Sequence, residues 1–341
     1  MRVEPDQSSK ANQEKPMKSG ITRRTFVGVS LASGATLLLG ESASIFGTES
    51  PTTLNLATNS SWKLGDDLPV NRLGFGAMRI TGEGGNWGWP ADRNNALKVL
   101  RRAVELGVNL IDTADAYGPE TSELLIAEAL HPYPAGLVIA TKGGLMRPGP
   151  DQTERNGRPD YLKGCVEKSL KRLRLERIDL YQLHRVDPKV PLEESLGALK
   201  EMQSAGKIRH VGLSEVSPEE IERARKVLQI VSVQNRYNIE DRKWENTLTY
   251  CEKEGLAFMP WSPIGGSRGF KTDDTLAAVA KAHGASVAQI ALAWLLQRSP
   301  VTLPIPGTAN VAHVEENVAA AKLQLTPQEW KTIDGLAAKA D

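Results

Sequence analysis

Cysteine is scarce: Cys165 and Cys251 are the only two in 341 residues, with no CxxC pair and no Cys/His cluster beside them. That excludes a disulfide framework and a zinc site, and both are expected to be buried free thiols. Net charge is nearly absent too, with 42 Lys+Arg against 41 Asp+Glu, so there is no basic footprint for a nucleic-acid partner. No apolar run is long enough to cross a bilayer, and 40% hydrophobic residues is too many for a disordered chain. A GxGxxG after a first strand is also missing, which removes the phosphate turn of a doubly wound open sheet. What remains has ordinary globular composition and room for one α/β barrel of about 250 residues plus a tail.

The tail is residues 1–50. Its first 24 residues are polar and carry six basic against three acidic side chains. Thr22-Arg23-Arg24-Thr25-Phe26 then feeds a stretch, residues 25–40, with no charge. A basic region followed by an apolar run shorter than the roughly 20 residues of a span reads as an export signal. The paired arginines before Phe26 resemble a twin-arginine signal, which carries folded proteins. Ser42-Ala43-Ser44 offers only a small-x-small cleavage site. Export by that route is the expectation, with the cytoplasm as the alternative, and no membrane span is expected in the mature domain.

The domain is expected over 53–341. Leu54-Asn-Leu, Trp62-Lys-Leu-Gly and Asp67-Leu-Pro-Val read as short strands joined by turns, an N-terminal lid hairpin. Strand-like runs then begin near Leu73, Asn109, Leu137, Ile178, Ile208, Ile230, Leu256 and Val301, each followed by a helical pattern. Their spacing averages about 33 residues, the length of a strand plus its crossover helix. Eight such units closing on themselves predict a (β/α)8 TIM barrel. Leu97, Leu100 and Val104 form a helical stripe ending at Gly107, a C-cap. Ser217-Pro-Glu-Glu220 and Thr326-Pro-Gln-Glu329 are N-terminal capping boxes, the second opening an extra C-terminal helix.

A TIM barrel gathers its active site at the C-terminal strand ends. Asp112 closes the second strand-like run with Tyr117 just beyond it, Lys142 closes the third and His184 the fourth. Together these four suit proton donation to a carbonyl oxygen. Tyr117 gives the proton, Lys142 draws the phenol pKa down from about 10, Asp112 pairs with Lys142, and His184 orients the carbonyl.

Asp112-Thr-Ala-x-x-Tyr117-Gly, Thr141-Lys142 and Leu183-His184 closely resemble the catalytic segments of the aldo-keto reductase superfamily. Matches run from Leu73-Gly-Phe-Gly76 to Glu315-Glu316-Asn317. The resemblance implies reversible, metal-free hydride transfer between a nicotinamide dinucleotide and a carbonyl or alcohol on a (β/α)8 barrel. It also implies that Ser214 and Gln234 bind the nicotinamide carboxamide, while Trp261 stacks on the ring where the family usually has Tyr. Gly76 and residues Ser262 to Gly266, Gly265 among them, would lie along the cofactor, where small residues allow close approach. Gly307, Thr308, His313, Glu316 and Asn317 resemble the adenosine segment. Many relatives carry Lys or Arg where this chain has Gly307, Ala309 and His313, and those cations hold the 2′-phosphate. NADP(H) is favoured on the family's habit, with NAD(H) as the other candidate.

The partner expected is a small-molecule carbonyl substrate. Trp87 and Trp89, in the glycine-rich loop after the first strand, are its candidate contacts. Two alternatives keep the barrel: a dinucleotide-binding redox sensor with little turnover, and a Schiff-base lyase using Lys142. A lysine held charged by Asp112 disfavours the latter.

Overall fold

The computed structural model describes residues 61–336 apart from 83, 85, 266–269 and 271–273. The arginine-pair stretch and the Leu54-Asn-Leu run lie outside the described residues. Strands β1 (Ser61–Leu64) and β2 (Leu68–Asn71) pair antiparallel, with Gly65 and Asp66 turning the chain in the left-handed region at φ 57° and 69°. Alternation sends Leu64, Leu68 and Val70 inward.

The parallel sheet is built from β3 (Phe75–Gly76), β4 (Leu110–Asp112), β5 (Val138–Gly143), β8 (Ile178–Leu183), β9 (Ile208–Ser214), β10 (Ile230–Gln234) and β11 (Ala257–Phe258), in that spatial order. These begin within two residues of the starts expected from the sequence. The eighth run, from Val301, does not form a strand of the ladder. Thr302 bridges Phe258, Leu303 N donates to Phe258 O, and Gly74 N and Gly76 N donate to the carbonyls of Pro304 and Pro306 at 2.9 and 3.2 Å. The segment thus links β11 back to β3. Pro304 and Pro306 have no N–H to return, so the seam holds by their carbonyls alone.

Helices follow the strands: α1 (Arg93–Glu105), α2 (Thr121–Leu130), α3 (Pro159–Leu173), α4 (Leu192–Ser204), α5 (Pro218–Arg225), α6 (Glu245–Glu254), α7 (Asp274–Ala282), α8 (Val287–Arg298), α9 (Val311–Ala319) and α10 (Pro327–Asp334). Asp92 caps α1 through Asn95 N at 2.8 Å, and Leu97, Leu100 and Ala103 form its buried stripe with Val104 at the edge. Gly107, at φ 91°, turns the chain out as expected. Both expected capping boxes are present, Ser217 with Glu220 and Thr326 with Glu329. The extra helix α10 packs Trp330 on Trp294 with ring centroids 6.3 Å apart.

The hairpin is a floor rather than a lid over the mouth. Leu64, Leu68 and Val70 share one cluster with the inward residues Leu110, Val138, Leu180, Val231 and Leu303 of the barrel. Asp67 is held by Arg209 and His210 at the beginning of β9, with His210 Nε2 2.7 Å from Asp67 Oδ1. Each fully buried Leu contributes about 1.5–3 kcal/mol, so the plug also stabilises the barrel. A second hairpin, β6 (Leu145–Gly149) with β7 (Gln152–Arg155), is inserted after β5. Pro148 lies within it and Pro150 in its turn, residues that carry no strand signal in a sequence.

Candidate active site

Three adjacent barrel strands, β4 with the loop after it, β5 and β8, bring the expected side chains together at the strand ends opposite the floor. Lys142 is fully buried, and its Nζ donates to Asp112 Oδ1 and Oδ2 at 2.8 and 2.7 Å and to Thr113 O at 2.8 Å. The same Nζ lies 3.3 Å from the Tyr117 hydroxyl. His184 stands edge-on to Tyr117 with ring centroids 5.8 Å apart. Asp112, Tyr117 and His184 line one cavity of about 730 Å³.

The electrostatics follow from burial and from this contact set. Burial works against the charged form of Lys142, but Asp112 and Tyr117 together, through charge and hydrogen bonds, outweigh it and hold the amine above its ordinary value, so it stays charged. The lone pair a Schiff base needs is therefore unavailable. Burial also holds the Tyr117 phenol above its ordinary value, with Lys142 pulling the other way. The expected net lowering is thus corrected: Lys142 acts in the expected direction, and desolvation exceeds it. Burial, then the charges of Lys142, Arg185 and Arg147, holds His184 well below its ordinary value, so the ring is neutral.

A second cavity of about 620 Å³ is lined by Gly307, Thr308, His313, Glu316 and Asn317, five residues the sequence had grouped together. It shares Arg79, Ile264 and Gly307 with the first, so one continuous trough runs from the tetrad to α9. Two glycines in its lining let the backbones of β3 and the eighth segment pack in close contact. A Cβ on Gly76 would lie 2.6 Å from Ile305 O, and one on Gly307 would lie 2.5 Å from Gly76 O.

A match to the aldo/keto reductase family model spans residues 72–338. The chain belongs to the aldo/keto reductase family. It is 50% identical over 268 residues to an uncharacterised oxidoreductase of Schizosaccharomyces pombe, covering 79% of this chain and 87% of that one. It is 44% identical over 274 residues to pyridoxine 4-dehydrogenase of Escherichia coli K12, covering 78% and 95%. Among solved structures it is similar to an aldo/keto reductase from Klebsiella pneumoniae in complex with NADP and acetate. There the TM-score is 0.70 and the identity 26%, with 82% of this chain and 95% of that chain covered.

In this aldo/keto reductase, Gly76, Ser214, Gln234, Trp261 and Ser262 also line the tetrad cavity. Gln234 Nε2 is already committed, donating to Asp112 Oδ1 at 2.8 Å and Gln182 Oε1 at 3.0 Å, so its free function toward a ligand is the acceptor Oε1. Ser214 Oγ accepts from Arg185 at 3.0 Å. Ser262 and Gly265 sit in the left-handed region at φ 55° and 78°, joined by Gly265 N to Ser262 O at 3.2 Å. Gly266 lies outside the described residues. Thr308 Oγ1 accepts from Asn310 N at 3.0 Å and lies 3.4 Å from His313 Nδ1, beside the N-terminus of α9.

The tryptophan candidates fare differently. Trp87 bridges Gly118, fastening its loop to the turn after Tyr117, and Trp89 is 49% exposed with the Arg93 guanidinium 4.8 Å from its ring centre. Neither lines the cavity; their neighbour Asn86 does. The glycines that suggested a mouth loop instead let Gly82 pack against the carbonyls of Trp87 and Trp89.

Sequence reading missed several residues. Arg79 lines both cavities, three residues past the short β3 in a stretch without a charge pattern. Arg147, Arg155 and Arg185 also line the mouth. Only Arg185 carried a signal, its place directly after His184 at a strand end. Glu215 holds a left-handed backbone at φ 58°, and its Oε1 accepts from Trp261 Nε1 at 2.8 Å and Arg236 N at 2.7 Å.

Proposed function

We propose that this chain is an NADP(H)-dependent carbonyl reductase in which Tyr117 is the general acid, and the general base in the reverse direction. The observation that carries this is Lys142 Nζ, fixed by Asp112 and 3.3 Å from the Tyr117 hydroxyl, beside a neutral His184 in one cavity. The trough supports the cofactor reading: its two end cavities, joined at Arg79, Ile264 and Gly307, suit an extended dinucleotide. Ser214 and the Gln234 acceptor face the nicotinamide end, Trp261 offers a stacking surface, and Thr308, His313, Glu316 and Asn317 wall the adenosine end. Arg79, shared by both cavities, suits the phosphates between, and the α9 N-terminus adds a favourable field for the 2′-phosphate. The NADP held by the Klebsiella relative supports this coenzyme.

When bound, the reduced nicotinamide supplies a hydride, a proton with two electrons, to the carbonyl carbon. The C=O π pair moves onto oxygen, which takes the Tyr117 proton, leaving an alcohol and the oxidised cofactor. Being protonated at neutral pH, the buried phenol is in the form that donates. Lys142 stabilises the phenolate that forms, and Asp112 keeps Lys142 charged and aimed. Neutral His184 positions the carbonyl without a competing charge. Small aldehydes and ketones are the substrate class. The E. coli relative's name adds the 4-aldehyde of pyridoxine to the panel. We further propose that the arginine pair at 23–24 directs export through a twin-arginine route.

The test is consumption of NADPH and NADH by the full-length protein on a panel of aldehydes and quinones, with cofactor binding followed by Trp fluorescence. Turnover that Tyr117→Phe lowers by about 10²–10⁴, with binding retained, is the expected result. Binding without turnover on any aldehyde would point to the sensor instead.

A further inference from the structure

Five arginines line the tetrad cavity, Arg79, Arg147, Arg155, Arg185 and Arg236, against a single carboxylate, Asp112, which is committed to Lys142. Arg236 is paired with Asp241 at 3.1 Å, and Arg79 belongs equally to the second cavity. The other three line only the tetrad cavity, and among the described residues none has a carboxylate within 4.0 Å. They are held by neutral acceptors. Arg147 donates from Nε to Ala116 O at 3.2 Å and from Nη1 to Pro150 O at 3.1 Å. Arg155 donates to Val186 O at 3.2 Å, and Arg185 to His184 O at 2.6 Å and Ser214 Oγ at 3.0 Å. The nearby acids take their hydrogen bonds elsewhere, Asp187 from the backbone N–H groups of Gly157 and Lys189 and Glu215 from Trp261 and Arg236, and reach Arg155 and Arg185 only through space.

Backbone carbonyls orient these guanidiniums without neutralising them, and the remaining N–H groups face a cavity. Arg147 and Arg155 come from opposite strands of the inserted β6–β7 hairpin. Building on the reductase reading, we infer that Arg147 and Arg185, with Arg155 at the rim, form a subsite for an anionic group on the substrate. The substrate is then a carbonyl compound that carries a carboxylate or a phosphate. Planar guanidiniums pair with either anion bidentately, and one charge-assisted contact separates a charged substrate from its neutral analogue by about tenfold or more.

The experiment compares kcat/KM for two matched pairs with full-length protein saturated in NADPH: 4-carboxybenzaldehyde against benzaldehyde, and glyceraldehyde 3-phosphate against glyceraldehyde. The expected result is a preference of about tenfold or more for the charged member of at least one pair, weakening with added salt. The pair with the larger ratio names the anion. Arg147→Gln and Arg185→Gln should collapse that ratio, Arg155→Gln should reduce it less, and Arg147→Lys should keep part of it. The NADPH Kd of each variant separates an effect of Arg185 through Ser214 from one on the substrate. Turnover of both members with a ratio the arginine variants leave unchanged would overturn the subsite alone. Turnover of none of the four would overturn the reductase reading as well.

Discussion

The indole Nε1 of Trp261 donates to Glu215 Oε1 at 2.8 Å while the Arg236 guanidinium sits 5.6 Å from the same ring's centre. The ring proposed to carry the nicotinamide is thus clamped along its edge by an anion and held near a cation. The clamp residue keeps a left-handed backbone that costs of order 1–3 kcal/mol in a non-glycine residue.

Glu215→Ala should therefore raise the NADPH Kd about three- to tenfold, a fraction of the roughly 1.5–3 kcal/mol of a hydrogen bond to a charged group. Glu215→Gly relieves the backbone but also removes the carboxylate, and should weaken binding as much. Fluorescence titration of a Gly variant that binds like the parent would show that the carboxylate does not matter.

Asp112→Asn should lower stability by about 3–5 kcal/mol, because it strands a buried ammonium. The double change Asp112→Asn with Lys142→Met should be more stable than the single one, since no unpaired charge remains. Thermal unfolding of the three proteins checks this, and a double variant no better than the single would refute it.

Behind the tetrad, Asp115 Oδ1 is buried without a partner, and burial, with the nearby Glu123, pushes its carboxyl up to about 7. The folded state then binds more protons than the unfolded state between the ordinary aspartate value of 3.8 and about 7, so stability from this group falls as pH rises through that window. Asp115→Asn removes the dependence. The Tm of the variant minus that of the parent should grow with pH up to about 7 and then level off. A difference that is flat from pH 4 to 8 would contradict it.

Arg79 lines both cavities, whereas His313 lines only the adenosine one. Arg79→Gln should weaken NADPH and NADH together, and His313→Ala should weaken NADPH more than NADH. Equal losses of both nucleotides in the His313 variant would remove His313 from the 2′-phosphate.

The tetrad was legible because chemistry and periodicity coincide: Asp112, Lys142 and His184 each close or directly follow an apolar run that can only be a strand. The barrel order was legible for the same reason, down to the first residues of β8 through β10. Legibility failed where proline hid hydrogen bonding. Pro148 and Pro150 masked a real hairpin, and Pro304 and Pro306 left the eighth segment extended but outside the ladder. It failed again where function rests on direction. Nothing in Trp87 or Trp89 says that one docks on Gly118 and the other faces out, and nothing in Arg147 says that it lines the mouth. The left-handed Glu215 leaves no trace in composition, since its conformation is imposed by the strands around it.

The contact between Gly76 and Gly307 also sets a limit on how this enzyme can change. A Cβ at 307 would lie 2.5 Å from the carbonyl of residue 76, so a basic residue there requires the backbone to shift as well. Drift in coenzyme preference is then expected to run through Arg79, Ala309, His313 or the start of α9. A library built to shift that preference would spend its diversity well at those positions and waste it at the paired glycines.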